Sequence, residues 1–429
     1  ICWQTFTLPS TCDGENIVCR LAEPKGTLRG VVQISHGMSE HIGRYLPFFR
    51  FLANEGFVVC GNDHLGHGKS CPDNSRLGFF APEKGYQYLI EDLHLVSLEL
   101  KKRYPDLPFF LFGHSMGSMI VRLYLSKYSS LLNGVVICGT AGPNPASKAG
   151  MLLCRQVIAS KGMMYRSQKL KQLIFGSYNN RFHHPKSDCA WLSRDEQMVE
   201  AYENDPLCNF PFTASAYLDL LSLQYYSNTH LWYRTLDPKL PMLLISGSMD
   251  PVGNYGKGVT AVEKQLRRVG IQDLTMWLYP EARHELLNET NRDEITAELG
   301  DPALDELFGL MTCPVRKAAP SPARYHAQSA ICCGVPIWPK GVSSRSSSMT
   351  SGVRFPFIWV SITPGAIQFT RMPESPTSLA SALVIPITAA FAAEYGTSQE
   401  APVNPQMDEV VMMQPLCRRI ISGRTLRQQ

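Results

Sequence analysis

No two cysteines stand in C-x-x-C spacing, although the 429-residue chain holds 13 of them. Without that spacing, and with an odd total, neither a zinc ribbon, nor a thioredoxin-type redox motif, nor a disulfide framework is indicated. The thiols read as reduced and mostly buried in an intracellular, cytoplasmic protein. A basic segment followed by an apolar one is missing from the opening "ICWQTFTLPSTCDGENIVCR", so no secretory signal is read there. Long apolar runs are missing too: "SALVIPITAAFAA" at 381–393 is too short and too Pro-broken to span a bilayer. Net charge is low at +4, and it is unevenly placed. Residues 311–429 hold 11 Lys/Arg against 5 Asp/Glu, leaving 30 against 32 for residues 1–310, so the tail is +6 and the body −2. No basic patch interleaved with aromatics accompanies these charges, and no nucleic-acid partner is expected.

What the chain does have is apolar content, 44% of its residues, enough to bury a sizeable core. Runs at 3–8 and 16–21 flank Asp13-Gly14 as an edge hairpin. "GVVQIS" at 30–35, "FVVCGN" at 57–62, "PFFLFG" at 108–113, "GVVICG" at 134–139, "PMLLIS" at 241–246 and "LTMWLY" at 274–279 follow, each apolar throughout, as strands buried on both faces must be. Helical patterns lie between them, the clearest being Tyr86, Leu89, Ile90, Leu93, Val96 and Leu100 at spacings of three and four. This alternation predicts an α/β fold, a mostly parallel doubly wound sheet. The sheet is expected to close with the strand at 274–279.

Within "PFFLFGHSMGSMIV" the segment Gly113-His114-Ser115-Met116-Gly117 fits G-x-S-x-G. Glycines at both flanks suit a sharp strand-to-helix turn that pushes a hydroxyl outward, at the carboxyl end of a strand where open α/β sheets take their ligands. A lone hydroxyl is a poor nucleophile, so an imidazole must accept its proton and an acid must orient that imidazole. Beyond the strand at 241–246 only His284 and His326 remain. His284 follows the strand at 274–279, whereas His326 lies in an atypical tail. Asp250 stands just past the strand at 241–246, while Asp237 and Asp273 precede their strands. Taken singly, Asp250 also fits a turn cap before Pro251 and His284 a helix cap; three residues in this order at three strand ends outweigh those readings. Two backbone N–H groups are needed for the oxyanion. Met116 supplies one by position, and Met38, in the turn after the strand at 30–35, supplies the other.

Six blocks together, "HGMSEHIGRY" at 36–45, "NDHLGHGKS" at 62–70, "FLFGHSMGS" at 110–118, "SRDEQMVEAYENDPLC" at 193–208, "GSMDPVGNYGKGV" at 247–259 and "ARHELLNETNRDEI" at 282–295, resemble the monoacylglycerol lipase and lysophospholipase group of α/β-hydrolases. The resemblance covers about residues 3–299. It implies the α/β-hydrolase fold, Ser115 as nucleophile with Asp250 and His284 as relay, Met38 and Met116 as oxyanion donors, and no metal or organic cofactor. His64 and His67 read as residues that brace a loop. Residues 142–235 interrupt the alternation with a helical insertion, which in this group resembles a cap, between core segments 1–141 and 236–299. Residues 142–187 carry eight Lys/Arg and no Asp or Glu, interleaved with apolar and Met residues. This composition suits an acyl-chain slot and peripheral contact with an anionic membrane; the other reading is core packing beside a solvated basic face.

The expected activity is a serine hydrolase cleaving carboxylic esters of glycerol-type lipids, either monoacylglycerol or lysophospholipid, through an acyl-serine. The alternatives are a small-ester hydrolase or peptidase with the same triad, and a non-catalytic lipid-binding protein on a hydrolase shell. Residues 300–429 break the pattern, with 13 of the 30 prolines in residues 311–429 and the run "SSRSSSMTS" at 343–351. They fit a disordered extension, a fused module or an out-of-frame product, the abrupt break favouring the last.

Overall fold

Residues of alternating address build the sheet: in the strand Phe109–His114, Phe109 and Leu111 join one hydrophobic cluster and Phe110 and Phe112 another. Successive strand side chains point to opposite faces, so a run apolar at every position must be covered on both sides. The structure, a computed structural model, describes residues 1–300 except 183, 184 and 234, together with strands at 325–326, 353–355, 358–363 and 366–371.

The strands are β1 (Cys2–Pro9), β2 (Asn16–Glu23), β3 (Gly30–Ser35), β4 (Phe57–Asn62), β5 (Phe109–His114), β6 (Gly134–Cys138), β7 (Met242–Gly247), β8 (Leu274–Tyr279) and β9 (Tyr325–His326). They form a nine-stranded sheet in the order β1-β2-β4-β3-β5-β6-β7-β8-β9. β3 to β8 run parallel, and the hairpin β1–β2 joins antiparallel on β4. Helices α2 (Gly85–Arg103) and α3 (Met116–Tyr128) cover one face, with α9 (Lys257–Arg268) below; α1 (Leu46–Asn54) and α10 (Arg292–Gly300) cover the other. The expected α/β-hydrolase fold is borne out, each strand from β1 to β8 lying within two residues of its expected bounds.

The strand order reverses between β3 and β5, which lie side by side with Ser35 opposite Gly113. That register sets the loop after β3 against the turn after β5, at the carboxyl ends of the strands.

One expectation is corrected. The sheet does not close at β8, because Tyr325–His326 adds antiparallel to its outer edge, opposite Leu278 and Trp277. An edge strand leaves one row of N–H and C=O groups open to pairing. The motif stretch at 282–295, which the six-block resemblance carries, folds not as one helix but as one tight turn, Leu286–Asn288, followed by α10. Between them the buried Glu289 carboxylate accepts the amides of Arg283 and Thr290, bonds that a continuous helix would forfeit.

The expected insertion at 142–235 holds α4 (Ser147–Lys161), α5 (Gln168–Phe175), α6 (Glu196–Asn204), α7 (Ala214–Tyr226) and α8 (His230–Tyr233) between β6 and β7. Met151 and Cys154 of α4 and Tyr217, Leu220 and Leu221 of α7 join the main core. Leu152, Leu153, Met163, Met164, Tyr165 and Leu173 are exposed. Among the described residues no helix is long and apolar enough to cross a membrane. The reading of 300–429 as a Pro/Ser-rich tail lies largely outside the described residues. The unit Val342–Gln429 contains an antiparallel three-stranded sheet at Val353–Phe355, Ile358–Thr363 and Ala366–Arg371.

Candidate active site

The turn after β5 holds Ser115 at φ 54°, ψ −117°, a positive φ that costs a non-glycine residue about 1–3 kcal/mol. The surroundings pin it there: its N–H donates to Cys138 O at 3.0 Å, and α3 starts at the next residue. Gly117 must be glycine, since a Cβ there would stand 2.2 Å from the Ser35 carbonyl oxygen. Helix α3 thereby approaches the end of β3, and the Ser115 side chain stands between the two loops.

Asp250 and His284 converge on this serine. The His284 ring lies with Nε2 2.8 Å from Ser115 Oγ and Nδ1 3.0 Å from Asp250 Oδ1. Asp250 is fully buried, and it also accepts the Val252 amide at 2.9 Å. The backbone around the imidazole is held by the insertion, with the N–H of Glu285 donating to Leu192 O at 2.7 Å. The Trp191 ring lies 5.1 Å from the His284 ring. All three sequence-expected side chains therefore meet at one point.

In the loop after β3, the amides flanking Met38 are engaged: Gly37 N–H donates to Glu40 Oε1 at 2.6 Å and Ser39 N–H to His67 Nε2 at 3.2 Å. Met116 is the first residue of α3, where amides have no intrahelical acceptor. His64 reaches Ser35 Oγ at 3.0 Å, so His64 and His67 both brace this loop. Their burial lowers both pKa values, that of His67 to about 3, and keeps the rings neutral.

A polar layer behind the histidine escaped the sequence reading. His114, inside the serine motif, places Nε2 3.3 Å from His284 O and Nδ1 2.9 Å from the Tyr45 hydroxyl and 3.4 Å from Glu40 Oε1. Arg44 donates to Glu40 at 2.7 Å and in a fork to both oxygens of Glu285, at 2.5 and 2.8 Å. Burial alone would raise the Glu40 and Glu285 carboxyls; the hydrogen bond from His114 to Glu40 and the Arg44 charge beside both outweigh it and hold them below the ordinary range. Burial would lower His114, and its bond to Glu40 raises it instead. The layer ties the loop after β3 to the backbone of His284. Its members sat inside the motif blocks at 36–45, 110–118 and 282–295, which was the one available signal.

Ser115, His284 and Met38 open into a cavity of about 360 Å³ roofed by α5 and the stretch 185–217, with Phe175, Trp191, Leu192, Phe210 and Tyr217 among its apolar walls.

A parallel sheet with a serine on a strained turn, hydrogen-bonded in series to a histidine and a buried aspartate from later strand ends, defines an α/β-hydrolase. The family model described as "Serine aminopeptidase, S33" (Hydrolase_4) matches residues 26–291, and the chain belongs to that family. It is 29% identical to the monoglyceride lipase of Mus musculus over 281 residues, 65% of this chain and 82% of that one. To the monoacylglycerol lipase of Mycolicibacterium smegmatis it is 26% identical over 289 residues, 66% of this chain and 92% of that one. Among solved structures, a thermostable carboxyl esterase from Bacillus coagulans in complex with glycerol matches with a TM-score of 0.68 and 30% identity, over 72% of this chain and 99% of that one. The resemblance drawn from the six sequence blocks is borne out.

Proposed function

We propose that this protein is a carboxylic ester hydrolase that cleaves glycerol-type lipid esters, monoacylglycerol or lysophospholipid, through an acyl-serine. The observation that carries the reading is the series Ser115 Oγ–His284 Nε2 at 2.8 Å and His284 Nδ1–Asp250 Oδ1 at 3.0 Å. Ser115 Oγ attacks the ester carbonyl while His284 Nε2 takes its proton, and Asp250 holds the proton on Nδ1. The N–H groups of Met38 and Met116 receive the oxyanion, which carries charge only once attack begins. His284 then returns the proton to the leaving glycerol oxygen, and water repeats the sequence to release the fatty acid. Names of relatives, monoglyceride lipases and a carboxyl esterase bound to glycerol, support the substrate class.

The insertion 142–235 acts as a cap whose apolar walls take the acyl chain. Exposed Leu152, Leu153, Met163, Met164 and Leu173 beside exposed Arg155, Lys161 and Lys169 form the peripheral contact with an anionic membrane. Arg166, at first sight part of this basic face, is committed elsewhere: its guanidinium donates to Pro211 O and Ser75 O. The nine described cysteines are all free thiols, which suits the cytoplasm.

Peptidase activity is the second reading, favoured by the description of the matching family. A rate screen over p-nitrophenyl esters of rising chain length, a monoacylglycerol, a lysophospholipid and an aminoacyl anilide separates the two. The account expects the long-chain glycerol lipids to be cleaved fastest; preference for the anilide would reject it.

A further inference from the structure

The loop after β3 and the turn between α6 and α7 meet at a cluster that the hydrolysis does not use. His41, Asp205 and Cys208 bring one ligand atom each to within 4.8 Å of one another. His41 Nε2 lies 3.0 Å from Asp205 Oδ2, while the other carboxylate oxygen accepts the Leu207 amide at 2.8 Å. The turn is held firmly: Cys208 N–H donates to Asp205 O at 2.9 Å, Asn209 takes a φ of 53°, and Asn209 N–H donates to Ser39 O at 2.9 Å. Cys208 is buried, His41 is mostly buried, and about a third of the Asp205 side chain remains open to solvent.

We infer that His41, Asp205 and Cys208 form a binding site for a divalent zinc-type cation that clasps the loop carrying Met38 to the insertion. The donor set of imidazole, carboxylate and thiol suits borderline-soft zinc and is wrong for magnesium or calcium, which take oxygen. Tetrahedral zinc with bonds of about 2.0–2.3 Å needs ligands roughly 3.3–3.8 Å apart. The His41–Asp205 pair, at 3.0 Å, opens by a few tenths of an ångström to reach this span, and Cys208 Sγ, within 4.8 Å of both, closes by about 1 Å. Solvent on the Asp205 side supplies the fourth position. Of the nearby cations, Arg44 is outnumbered by its own partners Glu40 and Glu285, which favours a metal, while the Arg20 guanidinium beside Gly43 opposes it. Charge and protons balance: the metal takes the Cys208 thiol proton's place, releasing it to solvent. The proton on His41 Nε2 moves to Nδ1, which gives up the bond from Gly43 N–H. Thiolate and carboxylate then neutralise the dication.

Cobalt(II) titration of the metal-stripped full chain tests this, because a thiolate–cobalt bond gives a charge-transfer band in the near ultraviolet. One equivalent of cobalt is expected to raise the band and zinc to displace it. Cys208→Ser and Asp205→Asn should each abolish or severely weaken it, whereas Cys189→Ser, at a neighbouring buried thiol, should keep it. Zinc should also raise the Tm of the parent and not that of either variant, a readout independent of turnover. Absence of the band in the parent overturns the inference. So does a band that survives in both Cys208→Ser and Asp205→Asn, which would place the metal on other cysteines. Should Cys208→Ser fold poorly, Asp205→Asn alone decides by the same two measurements.

Discussion

The floor of the active site and its roof are built on opposite principles. Beneath Ser115 the strands β3, β5, β6 and β7 are buried at every position, and the polar groups there are bonded in series from Asp250 through His284 to the serine, with Arg44 between two carboxylates behind. Above it, α4, α5 and the link between them leave leucines and methionines in solvent. A buried polar group must be paired, and each pairing fixes a geometry; an exposed apolar surface fixes none and gains only when something covers it. The floor therefore holds Ser115, His284 and Asp250 in one geometry, and on the reading proposed above the exposed apolar roof gains by contact with lipid.

The contrast is sharpest under mutation of the floor. Ser115→Ala should lower ester turnover by at least about 10³-fold while the Tm stays near that of the parent, because the triad works as a unit and the hydroxyl contributes little packing. His284→Ala should be nearly as damaging, and Asp250→Asn should retain binding but lose rate through the wrong tautomer. Full turnover in folded Ser115→Ala would remove the nucleophile from the account.

Next in size is the polar layer. Arg44→Ala leaves Glu285 a buried charge without its cation and Glu40 with His114 alone, a loss of about 3–5 kcal/mol in stability that urea unfolding would register. A loss below about 1 kcal/mol would mean that water reaches these carboxylates.

For the roof, neutralising Arg155, Lys161 and Lys169 should weaken binding to anionic vesicles by up to about 1 kcal/mol per charge and leave turnover of a short soluble ester unchanged. Unaltered vesicle binding would reduce this face to a solvated one.

The smallest effect concerns the seam between the two regions. Asp219 of α7 is buried against the first amides of α2, and burial raises its carboxyl to about 7. Its folded pKa exceeds the unfolded value of about 3.9, so the folded state binds the extra proton and stability is lost as pH rises through about 7. Relative to Asp219→Asn, the parent should gain Tm as pH is lowered through that range; a pH-independent difference would show that the helix amides already hold the carboxylate ionised.

The floor was legible in the sequence and the roof only in part, for physical reasons. Doubly buried strands write themselves as continuous apolar runs, and a nucleophile turn needs small residues at set offsets, so β3 to β8 and Ser115, Asp250 and His284 all stood out. Glu40, Arg44, His114 and Glu285 carry no period, and Arg44 meets Glu285 across 241 positions, so only the fold reveals their meeting. In the insertion, composition alone could not sort Met151, which is buried, from Leu152, which is exposed, or assign Arg166 to carbonyls of the chain itself. β9 escaped for a similar reason, two residues being too short to show a pattern.

The central claim, an acyl-serine formed at Ser115, is tested most directly by treating the full chain with a long-chain fluorophosphonate and mapping the adduct by mass spectrometry of its peptides. The account predicts one stoichiometric adduct on the peptide carrying Ser115, absent from Ser115→Ala. A folded parent that stays unlabelled, or an adduct on a different residue, would contradict it.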